Sequence, residues 1–439
     1  LGIVHAGGVA VALNSKLAEA DYRHILADSG PRLVIVEDEL ARSRPDLTRE
    51  LAQEGRIAVA GEASRGLPSW DALVAAAPQA PAVEASRETP AFALYSSGTT
   101  GRPKGMLHSH AAFAHVGAAF RAFGLAEGDT VFSTSRLFFA YGLEHGLLAP
   151  LSMGMTSIIA GEWPDAEAVI SLTARHRPAA LFSVPTVYRR LLAEPAERLE
   201  GFRGVRRFVA AGERLSAQLV SQWRQATGGE LLNLYGMSET FCACMVTPPG
   251  TSDGTRTGVP LAGVDVRLLD VEGREPPQGE PGVLWVRHPS QTTGYANLPE
   301  QTREQFRDGW FCSRDLFIRD PAGYFIHQGR SDELVKVAGQ WVQPGELEQV
   351  AGLEPAVAEA ACVAVLDADG LERLALFVTG RRGAEEAERA ATAACERSLP
   401  RYKRPKWVRA VSELPRTATG KVQRFKLREL LQRELAARE

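Results

Sequence analysis

Tyr95-Ser-Ser-Gly-Thr-Thr-Gly-Arg-Pro-Lys-Gly105 gathers glycines, hydroxyl side chains and one lysine into a single short stretch. Such a composition reads as a loop that cradles phosphate. Gly98 and Gly101 let the backbone approach an anion closely, Ser96, Ser97, Thr99 and Thr100 offer hydroxyl donors, and Lys104 adds a compact positive charge. An ordinary P-loop places its lysine directly after the second glycine and follows it with Ser or Thr. Here Arg102 and Pro103 intervene and Gly105 follows, so this is a different loop. A plain turn between two strands is the competing reading, and the rest of the chain decides between them.

Around this stretch, apolar β-rich runs alternate with helical segments: Leu33-Val-Ile-Val36, Ala180-Leu-Phe-Ser-Val184, Phe208-Val-Ala-Ala211 and Glu230-Leu-Leu-Asn-Leu234. That alternation predicts an α/β fold of parallel sheets covered by helices. Between Thr255 and Tyr324 the pattern changes to short strands, Val264 to Leu269 and Gly282 to Val286, set off by Gly and Pro turns. The chain has 439 residues, which favours two or more domains. It is 45% hydrophobic with a formal charge of −3, a balance that gives no support to nucleic-acid binding and fits a soluble enzyme. Its 5 cysteines, at no metal-like spacing, read as free thiols of a cytoplasmic protein. Cys242 and Cys244 share one face if extended, which suits packing better than metal binding. No apolar run reaches the roughly 18 residues a membrane span needs, and Leu1 to Leu13 lacks the charged start of a signal peptide. The Glu/Ala/Arg-rich stretch from Gly383 to Arg397 reads as a helix with a solvated face.

Further motifs follow the phosphate loop in order: Ala211-Gly-Glu213, Asn233-Leu-Tyr-Gly-Met-Ser-Glu-Thr240, Gly294-Tyr295, Trp310-Phe-Cys-Ser-Arg-Asp315, Gly329-Arg-Ser-Asp-Glu333 and Pro415-Arg-Thr-Ala-Thr-Gly-Lys421. Together they make the chain resemble the adenylate-forming superfamily of acyl- and aryl-CoA ligases, luciferases and peptide-synthetase adenylation domains. The resemblance runs from the first residues to about Leu430. It implies a large N-terminal AMP-binding domain of helix-covered sheets over 1–329, with a β-rich subdomain at about 255–329. A hinge at 330–332 and a small mobile α+β C-terminal domain over 333–439 complete the expected plan. The opening segment, Leu1 to Asn14, looks like a helix and turn that lie well inside a family member, so the chain is expected to begin late.

A carboxylate is a poor acyl donor, because its oxygen leaves badly and its charge repels nucleophiles. The resemblance implies that it attacks the α-phosphate of ATP held with Mg²⁺, and that the thiol of coenzyme A then displaces AMP. Neutralising charge around the triphosphate is the protein's task in the first step. The resemblance gives Glu239 the Mg²⁺, a hard oxygen ligand for a hard ion, and places Thr99 and Lys104 with it at the phosphates. Read alone, Glu239 would be a surface glutamate. Tyr235 is implied to lie against adenine, with Ala211, Gly212 and Glu213 as the opposite wall, Asn233 as a hydrogen-bonding partner, and Gly236 and Ser238 beside it. Asp315 and Arg330 match the ribose pair, although each could equally be a turn-capping Asp or a surface Arg. The position before Asp315 is usually glycine in the family, and Arg314 there costs on the order of 1 kcal/mol if the backbone needs a positive φ. Lys421 matches the adenylation lysine that bridges carboxylate and α-phosphate. Asp332 matches the hinge, and Gly339 the point where the pantetheine arm passes.

Arg401-Tyr-Lys-Arg-Pro-Lys406, with Lys403 and Arg404, receives the CoA phosphates or is only a solvated surface, and both readings stay open. His108 and His110 are expected to make structural hydrogen bonds and to bind no zinc. Arg136-Leu-Phe-Phe-Ala-Tyr-Gly-Leu143 occupies the family's acyl-pocket motif, so Phe138, Phe139, Tyr141 and Gly142 are expected to shape a flat apolar slot, with plain core packing as the alternative. The aspartate that amino-acid-activating relatives carry in this motif is missing, and the nearest carboxylate is Glu144. The wording of this motif and of Leu414 to Arg428 looks most like the benzoate-CoA ligase branch. Expected partners are therefore a small-molecule carboxylate, ATP and CoA, with a homodimer possible and neither nucleic acid nor membrane insertion involved. Three functions remain open: an aryl-CoA ligase, an aryl-acid adenylation enzyme that loads a carrier protein's phosphopantetheine, and a truncated, inactive nucleotide-binding relative.

Overall fold

The computed structural model describes residues 1–61, 66–97, 102–337, 340–367, 370–381, 383–416 and 422–436, with the side chains at 97, 341 and 436 set aside. Among these, a sheet of 7 strands forms the centre. Thr156–Ile158, Thr130–Ser133, Ala180–Ser183, Arg207–Ala210 and Leu231–Tyr235 run parallel in that spatial order, and Met245–Val246 and Val259–Pro260 continue it antiparallel. Successive side chains of a strand point to opposite faces, and both faces here are apolar. Phe182, Val209, Leu232 and Leu234 join one core, while Leu181, Phe208, Ala210 and Leu231 join the other. Helices close the second core. Ala166–His176 starts where the Asp165 side chain accepts from the Ala168 N–H, and it buries Val169, Ile170 and Thr173. Ala217–Thr227 starts on Ser216 in the same way, buries Trp223 completely, and stops at Gly228 in the left-handed region.

The phosphate-loop stretch is mostly strand. Pro90–Ser97 and Pro103–Ser109 pair antiparallel, with Ser96 opposite Lys104 and Ser97 opposite Pro103, so the connection proper is only 98–102. Ser96, Ser97 and Lys104 therefore sit on the two rails of a hairpin, which corrects the sequence expectation that all of them lie in a loop. The pairing wins because Phe92, Leu94 and Met106 on the same rails are buried and fix the register. Ala10–Val11 adds a parallel third strand.

The β-rich region appears as Asp265–Leu269, Gly282–Arg287, Phe306–Arg307, Trp310–Arg319 and Phe325–Arg330, all paired antiparallel. Beyond it, Val357–Leu366, Glu372–Gly380 and Trp407–Ala410 form a separate sheet, covered by Pro344–Gly352, Ala384–Ser398 and Arg424–Ala436. Its buried clusters draw on residues from Val335 onward. Ala384–Ser398 presents Ala387, Ala391, Ala394 and Cys395 inward at helical spacing and leaves its charges outside. One side-chain bridge to this region runs from Arg214 Nη2 to Gln349 Oε1 at 2.9 Å.

Candidate active site

The carboxyl ends of Ala180–Ser183, Arg207–Ala210 and Leu231–Tyr235 run directly into Val184, Ala211-Gly-Glu213 and Tyr235-Gly-Met-Ser-Glu239. In an open parallel sheet this is the edge where ligands bind. Asn233 and Tyr235, two apart on one strand, face the same side. Gly212 takes φ +82°, and Glu213 is held by the Thr186 hydroxyl, which donates to its Oε1 and Oε2 at 3.0 and 2.7 Å.

Asp315 and Arg330 are direct partners across two strands, with Arg330 Nη1 3.4 Å from Asp315 Oδ1. Tyr235 donates its hydroxyl to Asp315 Oδ2 at 2.5 Å, and His327 Nε2 lies 3.6 Å from Oδ1. Burial pushes the Asp315 carboxyl up, but His327, Tyr235 and Arg330 outweigh it and hold the group below its ordinary value. Arg330 also grips Asp332 with two nitrogens, at 2.8 and 2.9 Å. Arg314 sits at φ +61°, the left-handed backbone that favours glycine. Its guanidinium reaches Glu304 at 3.5 Å and Asp332 at 3.9 Å.

A second group lies around Glu239. Tyr295 Oη is 2.8 Å from Glu239 Oε1 and 2.9 Å from Gln305 Oε1, and the Tyr295 ring lies 4.3 Å beneath Lys104 Nζ. Burial lowers the Lys104 pKa, against the pull of Glu239. The backbone around them is tied together. Thr292 donates its hydroxyl to Leu107 O and its amide to Glu239 O, both at 2.8 Å, and the Ala296 N–H donates to Gly105 O at 2.8 Å. His108 is buried between Ser290 O at 3.1 Å and Ser238 O at 3.0 Å. Burial takes its pKa down to about 4 while the two carbonyls pull the other way. His110 Nδ1 lies 2.9 Å from Thr89 O.

The acyl-pocket motif divides. Phe138 and Phe139 pack against each other with centroids 4.3 Å apart and planes tilted by 58°, and both meet Trp163, which Lys16 and Arg136 cover. Tyr141 turns away from them to His145 and Phe182, with its hydroxyl 3.3 Å from Ser183 O and 3.2 Å from Val209 O. The split follows from the helix that begins at Ala140, which rotates Tyr141 onto another face. A single slot shaped by all three rings is thereby corrected to two aromatic groups. Gly142 is pressed against the backbone, where an added Cβ would lie 2.1 Å from Arg136 O.

Gly98, Thr99, Thr100, Gly101, Gly339 and Lys421 lie outside the described residues. Lys403 is bound to Glu346 at 2.7 Å, and Arg404 donates to Leu399 O and Glu396 O at 3.0 and 2.7 Å. These contacts favour the reading of that run as local structure over a CoA phosphate seat. Sequence reasoning gave no role to Tyr295, His327, Gln305 or His145. The Gly294-Tyr295 motif was the available signal for the first. The others sit outside any motif and become visible only through distance.

Residues 1–296 match the model of the AMP-binding enzyme family and residues 346–421 that of the AMP-binding enzyme C-terminal domain. The chain is 42% identical to a 3-hydroxybenzoate–CoA ligase of Aromatoleum sp. (strain CIB), over 98% of this chain and 84% of that one. It is 36% identical to a benzoate–CoA ligase of Thauera aromatica, over 98% of this chain and 82% of that one. The crystal structure of the anthranilate CoA ligase AuaEII in complex with anthranoyl-AMP superposes with a TM-score of 0.90 at 33% identity, covering 99% of this chain and 85% of that one.

Proposed function

The chain belongs to the AMP-binding enzymes, and on that premise we propose that it is an ATP-dependent acid–thiol ligase for an aromatic, benzoate-like carboxylate. The acid oxygen attacks the α-phosphate of ATP, giving acyl-AMP and pyrophosphate. The sulfur of CoA then attacks the acyl carbon, the bond to AMP breaks, and the thiol proton is released. The observation that supports this most is the nearness of the Tyr235, Asp315 and Arg330 group to the Glu239, Tyr295 and Lys104 group, close enough for the Arg330 charge to act on both Lys104 and Tyr295.

Each group has a task. Asp315 is kept ionised by its neighbours and accepts from two ribose hydroxyls, while Arg330 reaches ribose or phosphate oxygen. Ser96 and Lys104, opposite each other on the hairpin, meet the phosphates. Glu239, oriented by the Tyr295 hydroxyl, suits Mg²⁺, an ion that takes one or two protein carboxylates and fills its other positions with phosphate oxygens and water. When bound, that ion neutralises phosphate charge. Lys421 steadies the charge passing from carboxylate to α-phosphate, and Asp332 is the pivot about which residues 333–439 bring Gly339 to the thiol path. A cytoplasmic setting belongs to the same proposal, and a homodimer stays open. Among the described residues the 5 cysteines are free and no helix is long and apolar enough to cross a membrane.

Carboxylate-dependent ATP–pyrophosphate exchange across aromatic, cycloalkyl and fatty acids, followed by thioester formation with free CoA, tests the proposal. Aromatic acids should drive both. Exchange without transfer to free CoA would instead favour delivery to a carrier protein. Lys421→Ala should lower adenylation some hundreds-fold, equivalent to about 3 to 4 kcal/mol, and leave transfer from supplied acyl-AMP largely intact. Equal loss in both half-reactions would remove that role.

A further inference from the structure

Glu144–Leu148 forms a π-helical turn directly after the Tyr141 helix, and it buries two ionisable side chains, Glu144 and His145, each 1% exposed. Glu144 is accounted for, because its Oε2 accepts from the Ala243 N–H at 3.1 Å. His145 is only half accounted for. Its Nδ1 lies 3.0 Å from Tyr141 O, an acceptor, so Nδ1 carries the proton. The Glu144 carboxyl, 3.6 Å from the same nitrogen, reinforces that tautomer. Burial brings the His145 pKa down to about 4, so the ring is neutral at neutral pH and Nε2 presents a lone pair. That atom is buried with no partner among the described residues. Its surroundings are aromatic: the His145 ring lies 4.9 Å from Tyr141, 5.0 Å from Phe182 and 5.7 Å from Phe120. Ser133 Oγ is also buried without a partner among the described residues, and Ser133 Cβ lies 3.2 Å from where a Cβ on Gly146 would stand.

An orphaned acceptor among buried aromatic rings is costly, and a ligand that donates to it recovers the loss. The Tyr141 hydroxyl cannot do so, since it faces Ser183 O and Val209 O. We infer that His145 reads a hydrogen-bond donor on the ring of the carboxylate, so that the acid this chain activates best bears a phenolic hydroxyl. The inference rests on the aromatic-acid reading above and adds to it a residue and a substituent. His145 thus acts in selection, through substrate binding, and not in phosphoryl chemistry.

The test compares kcat/KM for 3- and 4-hydroxybenzoate with the 3- and 4-methyl and 3- and 4-fluoro acids of similar shape, on the wild type, His145→Phe and His145→Gln. At one ring position or the other, the wild type should favour hydroxyl over methyl and fluoro by at least about tenfold, since a site built around a hydroxyl rejects analogues that lack it. His145→Phe should bring that ratio close to one through the KM of the acid, with the KM of ATP little moved, and His145→Gln should restore part of it. A hydroxyl preference that survives His145→Phe overturns the inference. So does a wild type that treats hydroxyl and methyl alike, the result expected if a sealed water molecule satisfies Nε2. If His145→Phe does not fold, the wild-type comparison decides alone. A wild type that activates no aromatic acid in pyrophosphate exchange would instead sink the underlying ligase reading.

Discussion

Arg314 shows how one residue can work against its own backbone. Its left-handed conformation costs a side chain on the order of 1 kcal/mol that glycine would not lose. Against this stand its contacts with Glu304 and Asp332, both long and partly exposed, and such pairs contribute little. Arg314→Gly should therefore hold or raise stability, by up to about 1 kcal/mol, in urea denaturation. A clear loss would mean that the two contacts outweigh the backbone strain. Tyr295→Phe removes the hydroxyl that orients Glu239 and should slow adenylation about tenfold, a loss of 1 to 2 kcal/mol, with the KM of the aromatic acid little changed. A shift in acid KM alone would detach Tyr295 from the phosphate end. At this scale the sequence was a partial guide. Asp315 and Arg330 could be read from their motifs, whereas His327, on the same strand as Arg330 and beside the same carboxylate, carried no signal in its neighbours along the chain.

At the scale of the element, sequence adjacency and spatial adjacency part company. Phe138, Phe139 and Tyr141 stand almost side by side in the chain, yet the helix start at Ala140 sends them to different neighbours. The apolar runs of the parallel sheet were legible because burial on both faces leaves only one kind of residue. The phosphate stretch was less so, since its composition advertised a loop while its outer residues pair as strands. Gly142 is fixed by the same crowding, with the Arg136 carbonyl filling the space a side chain needs. Gly142→Ala should cost about 1 to 3 kcal/mol or require the turn to shift, seen as a lower urea midpoint. An unchanged midpoint would show that the turn gives way freely.

The whole molecule buries several histidines in neutral form. His108, His145 and His288 each have a pKa of about 4 in the fold, against 6.5 for a free ring, because burial disfavours their charge. Between those values the unfolded chain takes up a proton at each, so stability rises with pH. Glu144, raised to about 8 by burial from an ordinary 4.5, acts oppositely, because it keeps a proton that the unfolded chain releases. These three uptakes against the one release make stability climb by up to about 3 kcal/mol per pH unit from 4.5 to 6.5, and His115, also lowered by burial, adds in the same direction. Above that only Glu144 acts, and stability should decline gently toward pH 8. Tm measured from pH 4.5 to 8 should peak near 6.5, and Glu144→Gln should flatten the upper limb. A Tm that rises steadily through pH 8 would contradict the Glu144 assignment. That a second, smaller sheet follows the large one was legible because motif order and the change of pattern agreed. The bridge from Arg214 to Gln349 was not, since nothing links residues 135 positions apart except the fold itself.

The ties among His108, Ser238, Ser290, Thr292 and Leu107 have a consequence in time. They lock the hairpin, the Glu239 segment and the Tyr295 segment into one block, so the seat that receives the nucleotide stays still while a thiol takes its turn. Amide hydrogens of Thr292 and Ala296, held inside that block, should be among the last to exchange with deuterated water, whereas those of Ser331–Glu333, a short turn with no buried residue, should exchange early and respond to nucleotide. The enzyme's clock would then run in its joint, and its anvil would never move.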